Sequence, residues 1–276
     1  MVAVAPRLGL IAGEGELASC VARNASALGM EVVAISLAAT LDPGVERSAA
    51  RVYRVDLRDA LSIMSILKQE GVTEAVMIGK VWRADGFGRR VGETVELVAR
   101  DRRDRTDVEV LLAFAEKLEG AGITLISQLR YLGDAVPGGG VLGRLAPSSS
   151  QWEDVRFGLE IAMRVGEARI GQAVAVKGRA VVAVEAAEGT DAMVRRAGRL
   201  APGCAVVKVA WPDQDERFDV PAVGPGTIEA MQEAKAKVLA VEAGRTIIVR
   251  KRDTIGLADE AGIAMVGVSR ARGGDA

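Results

Sequence analysis

In the first half of the chain, short continuous apolar runs alternate with stretches whose apolar residues recur every three or four positions. Residues 8–13 form one such run and end in glycine, which predicts a strand buried on both faces. Leu17, Cys20, Val21, Ala25 and Leu28 then share one helical face. Strands are predicted over 31–37, 51–55, 74–78 and 123–127. Helices are predicted over 57–69 and around Val108, Leu111, Leu112, Ala115 and Leu118, the latter closed by Gly120 and Gly122. Strands alternating with helices at this spacing predict an α/β domain over residues 1–133, with a Rossmann-like parallel sheet covered on both faces.

The pattern breaks over 134–150, where Pro137-Gly138-Gly139-Gly140 and Pro147-Ser148-Ser149-Ser150 predict an interdomain linker. Beyond it, Trp152, Val155, Leu159, Ala162 and Met163 mark a helix, with Ser150 as its expected cap. Strands over 173–176 and 180–185 are joined by Lys177-Gly178-Arg179, a hairpin signal. Helices follow over 190–199, 227–235 and 254–261, and strands over 205–210, 238–241, 246–249 and 263–268. Residues 151–276 therefore read as a second α/β domain with a mixed sheet.

Composition changes this picture in two places. The 36 Lys and Arg residues nearly cancel the 37 Asp and Glu, so no nucleic-acid partner is expected from the overall charge of -1. There is no histidine, which removes Ser-His-Asp and Cys-His nucleophiles, His-ligated zinc and an imidazole base. Catalysis must then rest on carboxylates, lysine or arginine, backbone donors or a hard metal ion. Cys20 and Cys204 are too few for a disulfide framework and read as small buried hydrophobes. The amino terminus shows no secretory pattern, and no run approaches the ~18 apolar residues of a membrane span. A cytoplasmic protein is expected, meeting a membrane only from its surface.

Five segments carry candidate chemistry. Gly13-Glu14-Gly15-Glu16 joins the first strand to the first helix; it is either a plain turn or a nucleotide or sugar contact. Gly79, Lys80 and Arg83 lie past the carboxyl end of a strand in the same sheet, where ligands of open α/β sheets sit; they are either a diphosphate contact or a solvated loop. Residues 100–107 alternate Arg and Asp, and Asp107 is placed at a helix amino terminus. Glu188-Gly189-Thr190-Asp191 precedes a helix and either caps it or cradles a ligand. Asp213, Asp215, Glu216 and Asp219 crowd one polar loop, which is either a solvated acidic loop or an oxygen-rich set of the kind that suits Mg²⁺, and Lys208 on the strand entering it is a candidate phosphate partner.

Taken in order, several of these pieces resemble the LpxI-type UDP-2,3-diacylglucosamine pyrophosphatases. The matching runs are residues 8–13 with Gly15, Gly143-Arg144, Ile170-Gly171-Gln172 and Val184-Glu185-Ala186. They continue with Glu188-Gly189-Thr190-Asp191-Ala192-Met193, Arg217-Phe218-Asp219-Val220-Pro221 with Gly224, and Glu242-Ala243-Gly244-Arg245. The likeness covers residues 8–268. The resemblance implies a two-domain enzyme that hydrolyses the pyrophosphate of UDP-2,3-diacylglucosamine, a lipid A precursor, with Mg²⁺ as cofactor. The products would be UMP and 2,3-diacylglucosamine 1-phosphate. It implies Asp219 as the catalytic residue and metal ligand, and Gly13, Gly79, Asp107, Gly171, Gln172, Glu188, Gly189, Thr190 and Asp191 near the UDP and sugar. A homodimer and transient contact with the inner-membrane surface are further expectations. The chain departs from the family at Glu14 and Ala18, where relatives more often carry glycine and proline, and at Lys80, where some relatives carry asparagine.

Two other readings compete. A nicotinamide-dependent oxidoreductase needs a third glycine in the first turn, where Ala18 stands, and an acidic end to the second strand, which reads Ser36-Leu37-Ala38. A non-catalytic sugar-nucleotide binder needs neither.

Overall fold

The computed structural model describes residues 5–38, 40–56, 59–80 and 107–270. The chain divides into two compact units, residues 1–133 with 215–218 and residues 134–214 with 219–276.

In the first unit, strands β1 (Arg7–Ala12), β2 (Glu31–Ser36), β3 (Arg51–Arg54), β4 (Glu74–Ile78) and β5 (Thr124–Leu125) form one sheet in the order β3-β2-β1-β4-β5. Every pairing in it is parallel. Apart from its first residue β1 is wholly buried, as the unbroken apolar run predicts for a central parallel strand. Helices α1 (Leu17–Ala27), α2 (Pro43–Ser48), α3 (Ala60–Gln69) and α4 (Asp107–Gly120) occupy the connections. The order reverses beside β1, so the carboxyl ends of β1 and β4 lie together at the switch point of an α/β sheet. The core gathers Ile11, Ile35, Ile63, Leu67 and Leu118, and Phe218 from the distant segment 215–218 joins it. That segment is also held by Gln128, whose N–H donates to the Glu216 carbonyl at 2.8 Å.

The second unit is built on a six-stranded mixed sheet, β6-β13-β11-β9-β7-β8. Its strands are β6 (Gly140–Val141), β7 (Ala173–Lys177), β8 (Ala180–Val184), β9 (Ala205–Lys208), β11 (Val238–Glu242) and β13 (Ala264–Val268). Strands β9, β11 and β13 run parallel; β6 and the hairpin β7–β8 supply the antiparallel edges. Successive residues alternate between two cores. Val174, Val207, Ala240 and Val266 pack with Val155 and Ala162 of helix α5 (Ser149–Glu167) on one face. Ala175, Val206, Leu239 and Met265 pack on the other with Met193, Ile228 and Ala258, from helices α6 (Thr190–Leu200), α7 (Pro225–Glu233) and α8 (Lys251–Glu260). Strands β10 (Ala222–Val223) and β12 (Ile247–Ile248) form a separate parallel pair.

The structure corrects two expectations. Residues 134–150 are not a linker: Gly140 and Val141 pair with β13, and Asp259 accepts the Arg144 N–H at 2.8 Å. The short apolar Gly140-Val141 pair is too brief to show periodicity but long enough to extend a sheet edge. Ser148, not Ser150, caps α5, in a capping box with Gln151. The strand expected over 246–249 forms as β12 and pairs with β10, outside the main sheet.

One charged cluster closes the amino-terminal end of the first sheet. Glu70 accepts from the Tyr53 hydroxyl at 2.5 Å and from Arg51 at 2.6 Å, with Arg7 3.5 Å from its other oxygen. The Tyr53 bond, then the Arg51 bond, hold the Glu70 carboxyl below its ordinary range. A depressed carboxylate contributes stability above its unfolded pKa and loses it as pH falls through the lower folded value. Glu70→Gln should therefore lower the melting temperature at pH 7. The gap to wild type should close as pH falls below about 4, as followed by circular dichroism across a pH series.

Candidate active site

The alternation of β9 sets the site. Val206 faces the three-helix side and Val207 the other, so Lys208 is the next side chain turned toward the helices. It is only 7% exposed, and a buried ammonium requires partners. Its Nζ donates to Thr190 Oγ1 at 2.7 Å and to the Ala222 carbonyl at 3.0 Å. Thr190 is the first residue of α6, and its hydroxyl donates in turn to Glu185 Oε1 at 2.6 Å. The other Glu185 oxygen accepts the Gln172 N–H at 3.2 Å. Gly171 must be glycine here, since a Cβ would lie 2.1 Å from the Glu185 carbonyl oxygen.

The amino terminus of α6 opens on this cluster. Gly189 precedes it with φ 80°, and no side chain caps its first amides. Helix α7 also begins without a side-chain cap, after Gly224. The two starts are adjacent: a Cβ on Gly226 would lie 3.7 Å from Asp191 Oδ2. Uncapped helix starts beside a buried lysine suit an anionic ligand.

Asp219 completes the group. Its φ is 59°, a left-handed conformation that aspartate tolerates better than most residues but that still costs about 1 kcal/mol. Its carboxylate makes no hydrogen bond or ion pair among the described residues. Although the residue is exposed overall, partial burial pushes the carboxyl above its ordinary value; Lys208 opposes this and Glu185 adds to it. Burial pushes the Lys208 ammonium down, while Glu185, Asp191 and Asp219 favour its charged form.

The acidic run does not form a metal cage. Asp213 pairs with Arg169, and Asp215 binds Arg217 through two bonds of 2.9 and 2.6 Å. Glu216 accepts from the Ser127 hydroxyl at 2.9 Å. Among the described residues no three carboxylate or cysteine groups lie close enough together to hold a metal ion. The donor set fits Mg²⁺ only in the mode where one carboxylate and the substrate's phosphates share the ion, with Asp219 as that carboxylate.

Other expected site residues have local roles. Glu188 is exposed and braces its own loop, bonded to Arg196 at 2.5 Å and to the Ala186 N–H at 3.2 Å. In the first unit, Gly13 and Gly79 let two loops meet: a Cβ on Gly13 would lie 2.6 Å from the Lys80 carbonyl oxygen, and one on Gly79 2.9 Å from that of Glu14. Glu14 and Lys80 exchange backbone bonds of 2.6 and 2.8 Å across that contact. Gly15 has open space about it and Lys80 is exposed. Asp107 starts α4, but its side chain, Arg83 and the rest of the Arg and Asp run lie outside the described residues.

Sequence reasoning missed Glu185 and Gln214 as site residues. Glu185 follows an apolar strand and is 9% exposed, so a buried carboxylate in need of partners was the available signal. Gln214 accepts from Gln172 Nε2 at 3.0 Å, and nothing in the sequence pattern marks it.

Fold and site define a two-unit α/β protein whose second unit presents a buried lysine, a free strained aspartate and uncapped helix starts. Residues 7–135 match the family description "LpxI N-terminal domain" and residues 138–266 match "LpxI C-terminal domain". The chain belongs to the LpxI family. A Caulobacter vibrioides protein named UDP-2,3-diacylglucosamine pyrophosphatase LpxI is 29% identical over 278 residues, covering 95% of this chain and 97% of that protein. Among solved structures, a UDP-glucose 4-epimerase of Stenotrophomonas maltophila is 12% identical, with a TM-score of 0.35 over 98% of this chain and 88% of that one. A UDP-glucose 4-epimerase of Thermus thermophilus is 16% identical, with a TM-score of 0.32 over 97% of this chain and 88% of that one. Likeness at that level carries no argument about activity.

A carboxyl with a raised folded pKa favours folding most when protonated, and that advantage is lost as pH rises from its unfolded value through the folded one. Asp219→Asn removes the desolvated charge and keeps a side chain that tolerates φ 59°. In EDTA, the variant should melt above wild type at pH 7, with the difference disappearing below about pH 4. A variant that melts lower at pH 7 would contradict the assigned electrostatics.

Proposed function

We propose that this chain hydrolyses the pyrophosphate of UDP-2,3-diacylglucosamine, releasing UMP and 2,3-diacylglucosamine 1-phosphate. The observation that carries the reading is Asp219, an unpartnered and strained carboxylate beside the buried Lys208 charge. Local strain of this kind persists where surrounding structure holds it for a purpose. The chain-long relationship to a protein named for that reaction supplies the substrate.

In this reading Lys208 and the first amides of α6 bind phosphate oxygens and neutralise charge that grows as the bond to the leaving phosphate breaks. Asp219 orients the attacking water and accepts its proton. Asp219, together with the substrate's phosphates, would hold a Mg²⁺ ion, which when bound would supply Lewis-acid polarisation of the phosphate. No imidazole is needed for any of these steps. In the first unit, Gly15 and Lys80 are proposed as nucleotide contacts.

The diacyl substrate brings apolar chains whose burial contributes ~0.8 kcal/mol per CH₂. Among the described residues no helix is long and apolar enough to cross a membrane. Transient contact with the inner-membrane surface from the cytoplasm is therefore proposed as the route to a lipid substrate. A homodimer is proposed as the assembly, since twofold dimers are the commonest soluble oligomers.

Purified protein given UDP-2,3-diacylglucosamine should release UMP with Mg²⁺ and lose about tenfold or more of that rate in EDTA. Substrate binding without UMP in either condition would reduce the chain to a sugar-nucleotide binder.

A further inference from the structure

Glu185 has no part in the hydrolysis steps proposed above, yet it anchors the innermost polar chain of the second unit. Glu185, Thr190 and Lys208 are each buried, at 9%, 8% and 7% exposure. A threonine hydroxyl has one proton. Thr190 gives it to Glu185 at 2.6 Å, so only its lone pairs face Lys208, whose ammonium donates to them at 2.7 Å. Were the hydroxyl turned the other way, two donors would meet and the lysine would lose its partner.

The carboxylate is itself fixed at both ends of its reach. Its second oxygen takes the Gln172 N–H at 3.2 Å, and its backbone N–H is bound to the Ala173 carbonyl at 2.9 Å. The ammonium spends one proton on Thr190 and a second on the Ala222 carbonyl at 3.0 Å. Its third proton has no partner among the described residues. Carboxylate, hydroxyl and ammonium thus form a one-directional series ending beside Asp219.

We infer that Glu185 is a positioning residue for the hydrolysis: acting through the Thr190 hydroxyl, it fixes the Lys208 ammonium so that the third proton is left for a phosphate oxygen. This rests on the pyrophosphatase reading and names the device that orients its cation. Glu185 touches no reacting atom. Its charge also bears on the Asp219 carboxyl, so UDP affinity is the readout that isolates its action through Lys208 from that of a residue that merely supports the fold.

The test is a set of variants read in two ways, by kcat/KM for UMP release and by calorimetric affinity for UDP, with melting temperatures to confirm folding. Glu185→Gln and Thr190→Val should each weaken both readouts about ten- to a hundredfold, as expected for losing a hydrogen bond to a charged group. Thr190→Ser, which keeps the hydroxyl, should recover most of what Thr190→Val loses. In a Lys208→Met background, adding Glu185→Gln should change UDP affinity by no more than about twofold, because for that readout the pair acts as one unit. The inference is overturned if Glu185→Gln costs the same factor in UDP affinity with and without Lys208, or if Thr190→Ser is as damaged as Thr190→Val. Wild-type protein that binds UDP without releasing UMP refutes the hydrolysis alone, and the inference then stands or falls on the UDP affinities. Wild-type protein that does neither refutes both.

Discussion

A lysine ammonium held almost out of water at the carboxyl end of β9 is the constraint around which the second unit is organised. Removing such a charge from solvent is costly unless hydrogen bonds and opposite charges replace the lost hydration. The chain answers with one side-chain oxygen, one carbonyl and three carboxylates whose charges favour the protonated form. Those groups come from four places: the end of β8, the start of α6, the approach to α7 and the edge strand β10. Their convergence fixes how the helical layer meets the sheet. Gly171 follows from the same constraint, since Glu185 reaches Thr190 only with its backbone pressed against that residue.

Much of the architecture is legible in the sequence because the period of the apolar residues differs between elements. Continuous runs such as 8–12 announce buried parallel strands, and the helical spacing from Leu17 to Ala25 announces α1. Pairing over distance is not legible in this way. The two-residue strand β6 has no period, and nothing local says that it extends a sheet rather than linking two domains. Phe218 reads as part of a polar loop, yet it is 3% exposed in the core of the first unit.

The site is legible in kind but not in arrangement. Asp219 stands out from its motif, and Lys208 from its position before the polar loop. The four carboxylates of that loop also suggest a metal cluster, which the structure disperses because Arg169, Arg217 and Ser127 engage three of them. Arg169, 44 residues from Asp213, is invisible to a local reading of charge, although Arg217 lies in the same loop as Asp215. What survives is a single free carboxylate, a sparser and more specific arrangement than the sequence pattern implies. The absence of histidine, by contrast, is a chemical limit that composition alone reveals. The remaining groups suffice for water attack on a phosphoanhydride, where charge neutralisation and orientation carry most of the barrier.

The central claim is that Asp219 acts on the chemical step of the hydrolysis. The most direct measurement is kcat for Asp219→Asn at saturating substrate and Mg²⁺, alongside its affinity for UDP. Loss of the proton acceptor in the transition state should lower kcat by about 10²-fold or more, with UDP affinity within a few-fold of wild type. A variant that keeps kcat within a few-fold of wild type would contradict the account.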